Sequence, residues 1–299
     1  MGLLNRYTKL VFLGDSNSDN GNVFRMTSQT YPPPNVYHEG RYSNGRIWAD
    51  HLEQLSGTPS INLAHGYATI DNSIVAGTVP MPSGQRQEVP SVLDQIDQLH
   101  SLVGKLGPDE LVFVQVGSND LNSLVETDST YNVKSEFTPQ LLASRLRVAI
   151  ERLCNDCDAR NIVVLNVRPR VYQPDVIALS DTEKKDFTRR VNAQLNDAYE
   201  SEVSLLQEKL GDGCMLAVFD THGFQKRISE NPAAYGIDAD TETPCYVEPP
   251  ASGIQGPKPC FKNSDTKLFF DSSHLGKRAQ ALLAAEVVKQ LTLWLLLKQ

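Results

Sequence analysis

Five short runs of strand-forming residues alternate with longer stretches of helical spacing along this chain, and that alternation leaves few folds open. Leu10 to Leu13, Ser60 to Leu63, Glu110 to Val116, Asn161 to Val167 and Cys214 to Phe219 are dominated by Val, Ile, Leu and Phe and read as strands. Between them, Ile47 to Leu55 reads as a short helix. Pro90 to Leu106 reads as a helix with Val92, Ile96, Leu99, Val103 and Leu106 on one stripe, and Thr138 to Cys154 as another carrying Leu142, Leu146, Ile150 and Leu153. Asp181 to Leu210 reads as a long helix opened by a capping box on Ser180 and Glu183, Phe224 to Tyr235 as a broken helix, and Gly276 to Leu297 as the closing helix. Ala64 to Pro90, Leu121 to Phe137 and Gly236 to Lys267 read as loops. Such alternation predicts an α/β fold, a mainly parallel sheet with helices on both faces. No repeat or linker divides residues 1–299, so a single domain is expected.

With 299 residues, 40% of them hydrophobic and 21% charged, the chain can bury a full core. Its formal net charge of −8, with no block of Lys and Arg, argues against a nucleic-acid partner. No apolar run is long enough to span a bilayer, and Leu291 to Leu297 reads as the buried face of the last helix. Met1 to Thr8 shows no leader pattern and no Asn-x-Ser/Thr acceptor occurs, so a cytoplasmic protein is expected, or a secreted one if a leader has been removed. The five cysteines cannot all pair with one another. Cys154-x-x-Cys157 has no second pair nearby for zinc and no strand leading into it for redox work. Cys245 and Cys260 flank a loop rich in Pro and Gly, and can either pair or stay reduced. No phosphate-cradling Gly-x-Gly-x-x-Gly follows a strand, no cofactor is implied, and nothing sets the oligomeric state.

In a parallel α/β sheet, ligands sit at the carboxyl ends of the strands. Three segments fall at such ends, Gly14-Asp-Ser16, Asn62-Leu-Ala-His-Gly66 and Gly117-Ser-Asn-Asp120, and a fourth, Asp271-Ser-Ser-His274, just before the closing helix. Each has a plain reading. The first and third are turn sequences, Gly66 is any turn glycine, and Asp271 is a helix cap. Together they hold what acyl transfer by a serine needs: a nucleophile, a base, a group that orients the base, and donors for the oxyanion. Ser16 is the candidate nucleophile and His274 the base, with Asp271 three residues earlier to fix its tautomer. Gly66 offers a backbone N–H, Asn119 a side-chain amide, and Ser16 its own N–H; no metal is required. Asp15, Asp19 and Asp120 read as acceptors that hold the nucleophile turn rather than as metal ligands. His65, beside Gly66, reads equally as pocket lining or as a loop histidine. His222 reads as structural or as pocket wall.

These four blocks, Gly14-Asp-Ser-Asn-Ser-Asp-Asn-Gly-Asn22, Asn62-Leu-Ala-His-Gly66-Tyr-Ala-Thr, Gly117-Ser-Asn119-Asp and Asp271-Ser-Ser-His274, resemble in order the motifs of the GDSL esterase/lipase (SGNH hydrolase) family. Arg41-Tyr-Ser-Asn-Gly-Arg-Ile-Trp48 resembles a segment common between the first two. The resemblance spans nearly the whole chain and is nearest the fungal and bacterial acetylesterase and lysophospholipase-like branch. It implies a flavodoxin-like three-layer sandwich whose five strands run in the order 2-1-3-4-5. It implies Ser16, Asp271 and His274 as catalytic residues, and Ser16, Gly66 and Asn119 as oxyanion donors. A loop of the Cys245–Cys260 type is one such relatives often bridge. The family's leucine after the serine is Asn17 here, a change that bears on pocket lining and hence on substrate. The expected function is hydrolysis of a small-molecule carboxylic ester, short-chain or acetyl, through an acyl-enzyme on Ser16. The same residues would serve acyl transfer to an alcohol, and a catalytically inactive binding module is the remaining class.

Overall fold

The structure, a computed structural model, describes residues 6–125, 130–247 and 264–297. In chain order its first half comprises β1 (Lys9–Gly14), α1 (Asn22–Met26), α2 (Trp48–Ser56), β2 (Ser60–Asn62), β3 (Val75–Pro80), β4 (Arg86–Glu88), α3 (Val92–Val103), β5 (Glu110–Gln115) and α4 (Ser118–Asn122). There follow β6 (Tyr131–Val133), α5 (Pro139–Asn155), β7 (Asn161–Leu165), α6 (Pro174–Ile177), α7 (Thr182–Leu210), β8 (Met215–Phe219), α8 (Thr221–Glu230) and α9 (Lys277–Leu297). Five strands form one sheet in the order β2-β1-β5-β7-β8, every neighbouring pair parallel. Counted among themselves, these strands have the expected order 2-1-3-4-5.

Strand periodicity divides the core in two. Alternate residues of a strand face opposite sides of the sheet. Leu10 and Phe12 therefore join Leu111, Phe113, Val163 and Leu165 under Trp48 and Leu52 of α2 and Leu283 and Val287 of α9. Val11 and Leu13 join Val112, Val114, Ile162 and Val164 under α3, α5 and α7, through Ile96, Leu146 and Leu195 among others. Because both faces are covered, these strands carry unbroken apolar runs rather than an alternating pattern. Phe12 stacks on Phe113 and meets the Trp48 ring edge-on, each with centroids 5.3 Å apart.

Two loop expectations are corrected. Within residues 64–90 lie β3 and β4, and within 121–137 lies β6; together they make an antiparallel sheet of order β4-β3-β6. β4 and β6 are three residues each, and β4 is exposed along its length, so neither carries a periodic signal. The cap of α7 is also corrected. It is Asp181, whose carboxylate accepts from the N–H groups of Glu183 (3.0 Å) and Lys184 (3.1 Å), and not Ser180. Cys154, Cys157 and Cys214 are free and buried, whereas Cys245 is disulfide-bonded. Cys260 lies outside the described residues.

Two features at the carboxyl edge of the sheet have measurable consequences. Gly14, the last residue of β1, has φ +141°, and a Cβ there would overlap the Gln115 carbonyl of β5. Its backbone is held from the other side by Gln95 of α3, whose amide accepts from Gly14 N–H (2.7 Å) and donates to Gly14 C=O (2.9 Å). Asp120 is fully buried and accepts from Ile70 N–H (3.2 Å), while its second oxygen has no partner among the described residues. Burial and the nearby Asp15 and Asp71 carboxylates, against its few hydrogen bonds, raise its pKa to about 7. Gly14→Ala should lower the unfolding free energy by about 3 kcal/mol in denaturant melts, and a loss under about 1 kcal/mol would contradict the contact. Asp120 binds its proton more tightly when folded than unfolded, so it costs stability as pH rises from near its ordinary 3.8 towards 7. Asp120→Asn should therefore melt progressively higher than wild type across that window, with the gap constant above it; a gap independent of pH would refute the assignment.

Candidate active site

The chain leaves β1 through a tight turn. Ser18 N–H bonds back to Asp15 C=O at 3.0 Å, and Asp15 Oδ1 accepts from both the backbone N–H (2.9 Å) and the side-chain amide (2.7 Å) of Asn17. Burial pushes the Asp15 pKa up, opposed by those two bonds and by the charges of Arg168 and His274. The turn holds Ser16, 8% exposed, at the rim of a cleft of about 290 Å³. The Ser16 hydroxyl lies 2.7 Å from Nε2 of His274.

Before α9 the chain makes a second turn. Asp271 accepts from the N–H groups of Ser273 (2.9 Å) and His274 (2.7 Å), as a capping aspartate would, and its carboxylate also meets His274 Nδ1 at 2.7 and 2.9 Å. Tyr37, from the loop after α1, donates its hydroxyl to the same carboxylate at 2.8 Å. Burial alone would raise the Asp271 pKa; His274 and the donated hydrogen bonds overcome it and hold the carboxyl at about 2. Asp271 is thus ionised behind the imidazole, and Ser16, His274 and Asp271 form one continuous line of hydrogen bonds.

Asn119, in α4 after β5, lines the same cleft. Its amide is fixed at both ends, donating to Ala68 C=O (2.8 Å) and accepting from the Tyr131 hydroxyl (2.9 Å). One amide hydrogen is left without a partner among the described residues. Gly66 is placed differently from expectation. Its N–H donates to Asp19 Oδ2 at 2.8 Å, and Gly66 is not among the residues lining the cleft. Asp19 is a buried carboxylate that also accepts from the N–H groups of Gly21, Asn22 and Val23, so it competes for any donor within reach. Burial raises its pKa, against the opposing effects of His65 and these N–H groups. A side chain at position 66 would collide with the Tyr42 hydroxyl, which accounts for the glycine.

Of the two candidate lining residues, Asn17 faces the cleft and His65 does not. His65 donates its N–H to Gly14 C=O (3.0 Å), its ring meets Leu63 C=O (2.8 Å), and burial lowers its pKa. His222 is likewise away from the cleft; its N–H donates to Asn166 Oδ1 at 2.9 Å. The sequence reading passed over Arg168 and Arg170, both in the lining. They follow β7, whose carboxyl end opens on the same edge as β1 and β5, and that position was the available signal. Arg168 is wholly buried; desolvation brings its pKa down to about 10, against the attraction of Asp15 and Asp271. Tyr31, Tyr37, Tyr42, Tyr67 and Tyr131 supply the aromatic walls, and no aliphatic side chain lines the cleft among the described residues.

Residues 10–287 match the GDSL-like Lipase/Acylhydrolase family. The chain is 25% identical to a thermolabile hemolysin of Vibrio parahaemolyticus over 79% of its own length and 51% of the hemolysin's. It is 26% identical to a phosphatidylcholine-sterol acyltransferase of Aeromonas hydrophila over 80% of its length and 66% of that protein's. It thus spans about half to two-thirds of these relatives. A catalytic mutant of an acetylxylan esterase from Geobacillus stearothermophilus shares the fold, with a TM-score of 0.50 at 12% identity over 94% of this chain and 93% of the other. With its match running from β1 into α9, the chain belongs to the GDSL-like lipase/acylhydrolase family.

Proposed function

We propose that this chain hydrolyses carboxylic esters through an acyl-enzyme on Ser16. The observation that carries the reading is the unbroken line from Asp271 through His274 to the Ser16 hydroxyl. In the first step Ser16 Oγ attacks the ester carbonyl while His274 Nε2 takes its proton. Asp271, ionised and held by Tyr37, keeps Nδ1 protonated and Nε2 free to accept. The Ser16 N–H and the unpaired amide hydrogen of Asn119 face the developing oxyanion. Gly66 joins them only if its N–H exchanges Asp19 for the substrate oxygen. His274 then passes the proton to the leaving alcohol. Water enters, His274 removes its proton, and collapse of the second tetrahedral adduct frees the acid and Ser16.

The cleft's composition supports a short acyl group. Each methylene of an acyl chain gains about 0.8 kcal/mol only when it is buried against apolar surface; here the tyrosine rings supply that surface over a short span, and the rest of the described lining is hydroxyl, amide, carboxylate, imidazole and guanidinium groups. Similarity to an acyltransferase supports, as a second reading, transfer of the same acyl group to an alcohol. The disulfide at Cys245 supports an oxidising compartment rather than the cytoplasm.

A fluorophosphonate probe should label wild type and leave Ser16→Ala unlabelled, and that variant should lose at least ~10³-fold in ester hydrolysis. Across p-nitrophenyl esters of increasing length, kcat/KM should be highest for acetate to butyrate and fall thereafter. Absence of labelling would defeat the mechanism, and a maximum at long chains would defeat the acyl preference. Added alcohol that yields new ester in preference to free acid would favour transfer.

A further inference from the structure

The family's leucine after the nucleophile is replaced here by a polar residue, and that residue is buried: Asn17 is 6% exposed. A buried amide must find partners. Asn17 donates to Asp15 Oδ1 at 2.7 Å and accepts from Arg168 Nη2 at 2.8 Å. The same Nη2 carries a second hydrogen, which goes to the carbonyl of Ser273, 2.8 Å away and one residue before His274. The other terminal nitrogen, Nη1, donates to Gln225 Oε1 of α8 at 3.0 Å. One nitrogen of one side chain thus joins the turn that carries Ser16 to the turn that carries His274, two segments more than 250 residues apart in the chain. The arginine is itself fixed, since it sits beyond the end of β7 and is anchored on α8.

We propose that Asn17 and Arg168 are positioning residues, a polar brace that sets the separation of the Ser16 hydroxyl and the His274 imidazole. The proposal rests on the reading of those two as nucleophile and base. A 2.7 Å contact between two separate turns has little tolerance, because displacement of about 1 Å can cost ~10²-fold in rate. Asp271 and the Ser273 hydroxyl meet Nδ1 and the Tyr42 ring packs against the imidazole, but none of these has a hydrogen bond to the serine turn among the described residues. The brace also explains why position 17 is coupled to position 168. Leucine at 17 would leave a hydrogen of the buried Arg168 without an acceptor, so the residue usual elsewhere in the family is unfavourable in this chain.

The test compares wild type with Asn17→Ala, Asn17→Leu, Arg168→Lys and the Asn17→Ala/Arg168→Lys double variant. The readouts are the rate of fluorophosphonate labelling, kcat and KM for p-nitrophenyl acetate, melting temperature, and a crystal structure of Asn17→Ala. The brace predicts that Asn17→Ala melts a few degrees below wild type for want of its buried hydrogen bonds, yet, at temperatures where it is fully folded, labels and turns over ~10- to 100-fold more slowly with KM nearly unchanged. The double variant should be little worse than the poorer single, because the two residues act through one link. In the crystal, Ser16 Oγ and His274 Nε2 should move beyond hydrogen-bonding distance. Wild-type labelling by Asn17→Ala, additive losses in the double variant, or an undisturbed serine–histidine contact would each overturn the brace. If Arg168→Lys does not fold, the two Asn17 variants decide alone. Failure of wild type to label would count against the nucleophile reading instead, and the crystal structure would still judge the brace by geometry.

Discussion

Gly14 brings the end of β1 so close to Gln115 of β5 that no side chain fits between them, and much of the site is arranged around that approach. Because β1 lies between β2 and β5 with both faces buried, the chain can leave the sheet only at the carboxyl edge. Gln95 completes the hydrogen bonds that the departing strand would otherwise lose, at Gly14 N–H and C=O. On the opposite face, Trp48 donates its ring N–H to Gln115 Oε1 (3.0 Å) and Ser18 Oγ (3.2 Å), so the far end of the turn that carries Ser16 is fixed to β5. Ser16 is held between these two anchors, one from each layer of helices. That is how a serine on a short loop can have a fixed direction: α2 and α3 hold the loop as firmly as the sheet does.

The frame was largely legible because its cause is local. Each sheet strand is an apolar run, each long helix has a stripe, and parallel pairing with right-handed crossovers leaves few ways to connect them. That Ser16, His274 and Asp271 would meet in one hydrogen-bonded line was legible because a serine at a strand end and an Asp-x-x-His before the last helix are the chemical types such a line needs. What escaped depends on contacts between distant segments. β3, β4 and β6 are defined by pairing with one another, and three residues carry too little pattern to announce a partner. Tyr37 reaches Asp271 across 234 positions of sequence, which no local rule foresees. The end of Gly66's N–H on Asp19 was equally hidden, since it arises from competition for donors among buried acceptors and not from the identity of glycine. Arg168 is intermediate: its strand-end position was visible, its partners were not.

Aspartates under one sheet edge show how position decides charge. Asp271 and Asp120 are both buried, and burial pushes both pKa values up. They end far apart, at about 2 and about 7, because of what else is within reach. Asp271 gathers two backbone N–H groups, the Tyr37 hydroxyl and a basic ring. Asp120 has the Ile70 N–H and stands near two other carboxylates. The charge on Asp271 faces the His274 ring and favours its protonated form, whereas the charged groups beside Asp120 are carboxylates, which oppose a further negative charge. The fold therefore holds Asp271 ionised behind the His274 ring and pushes Asp120 towards its neutral form. The charge that each of these buried carboxyls carries is in this way set by its neighbours more than by depth of burial.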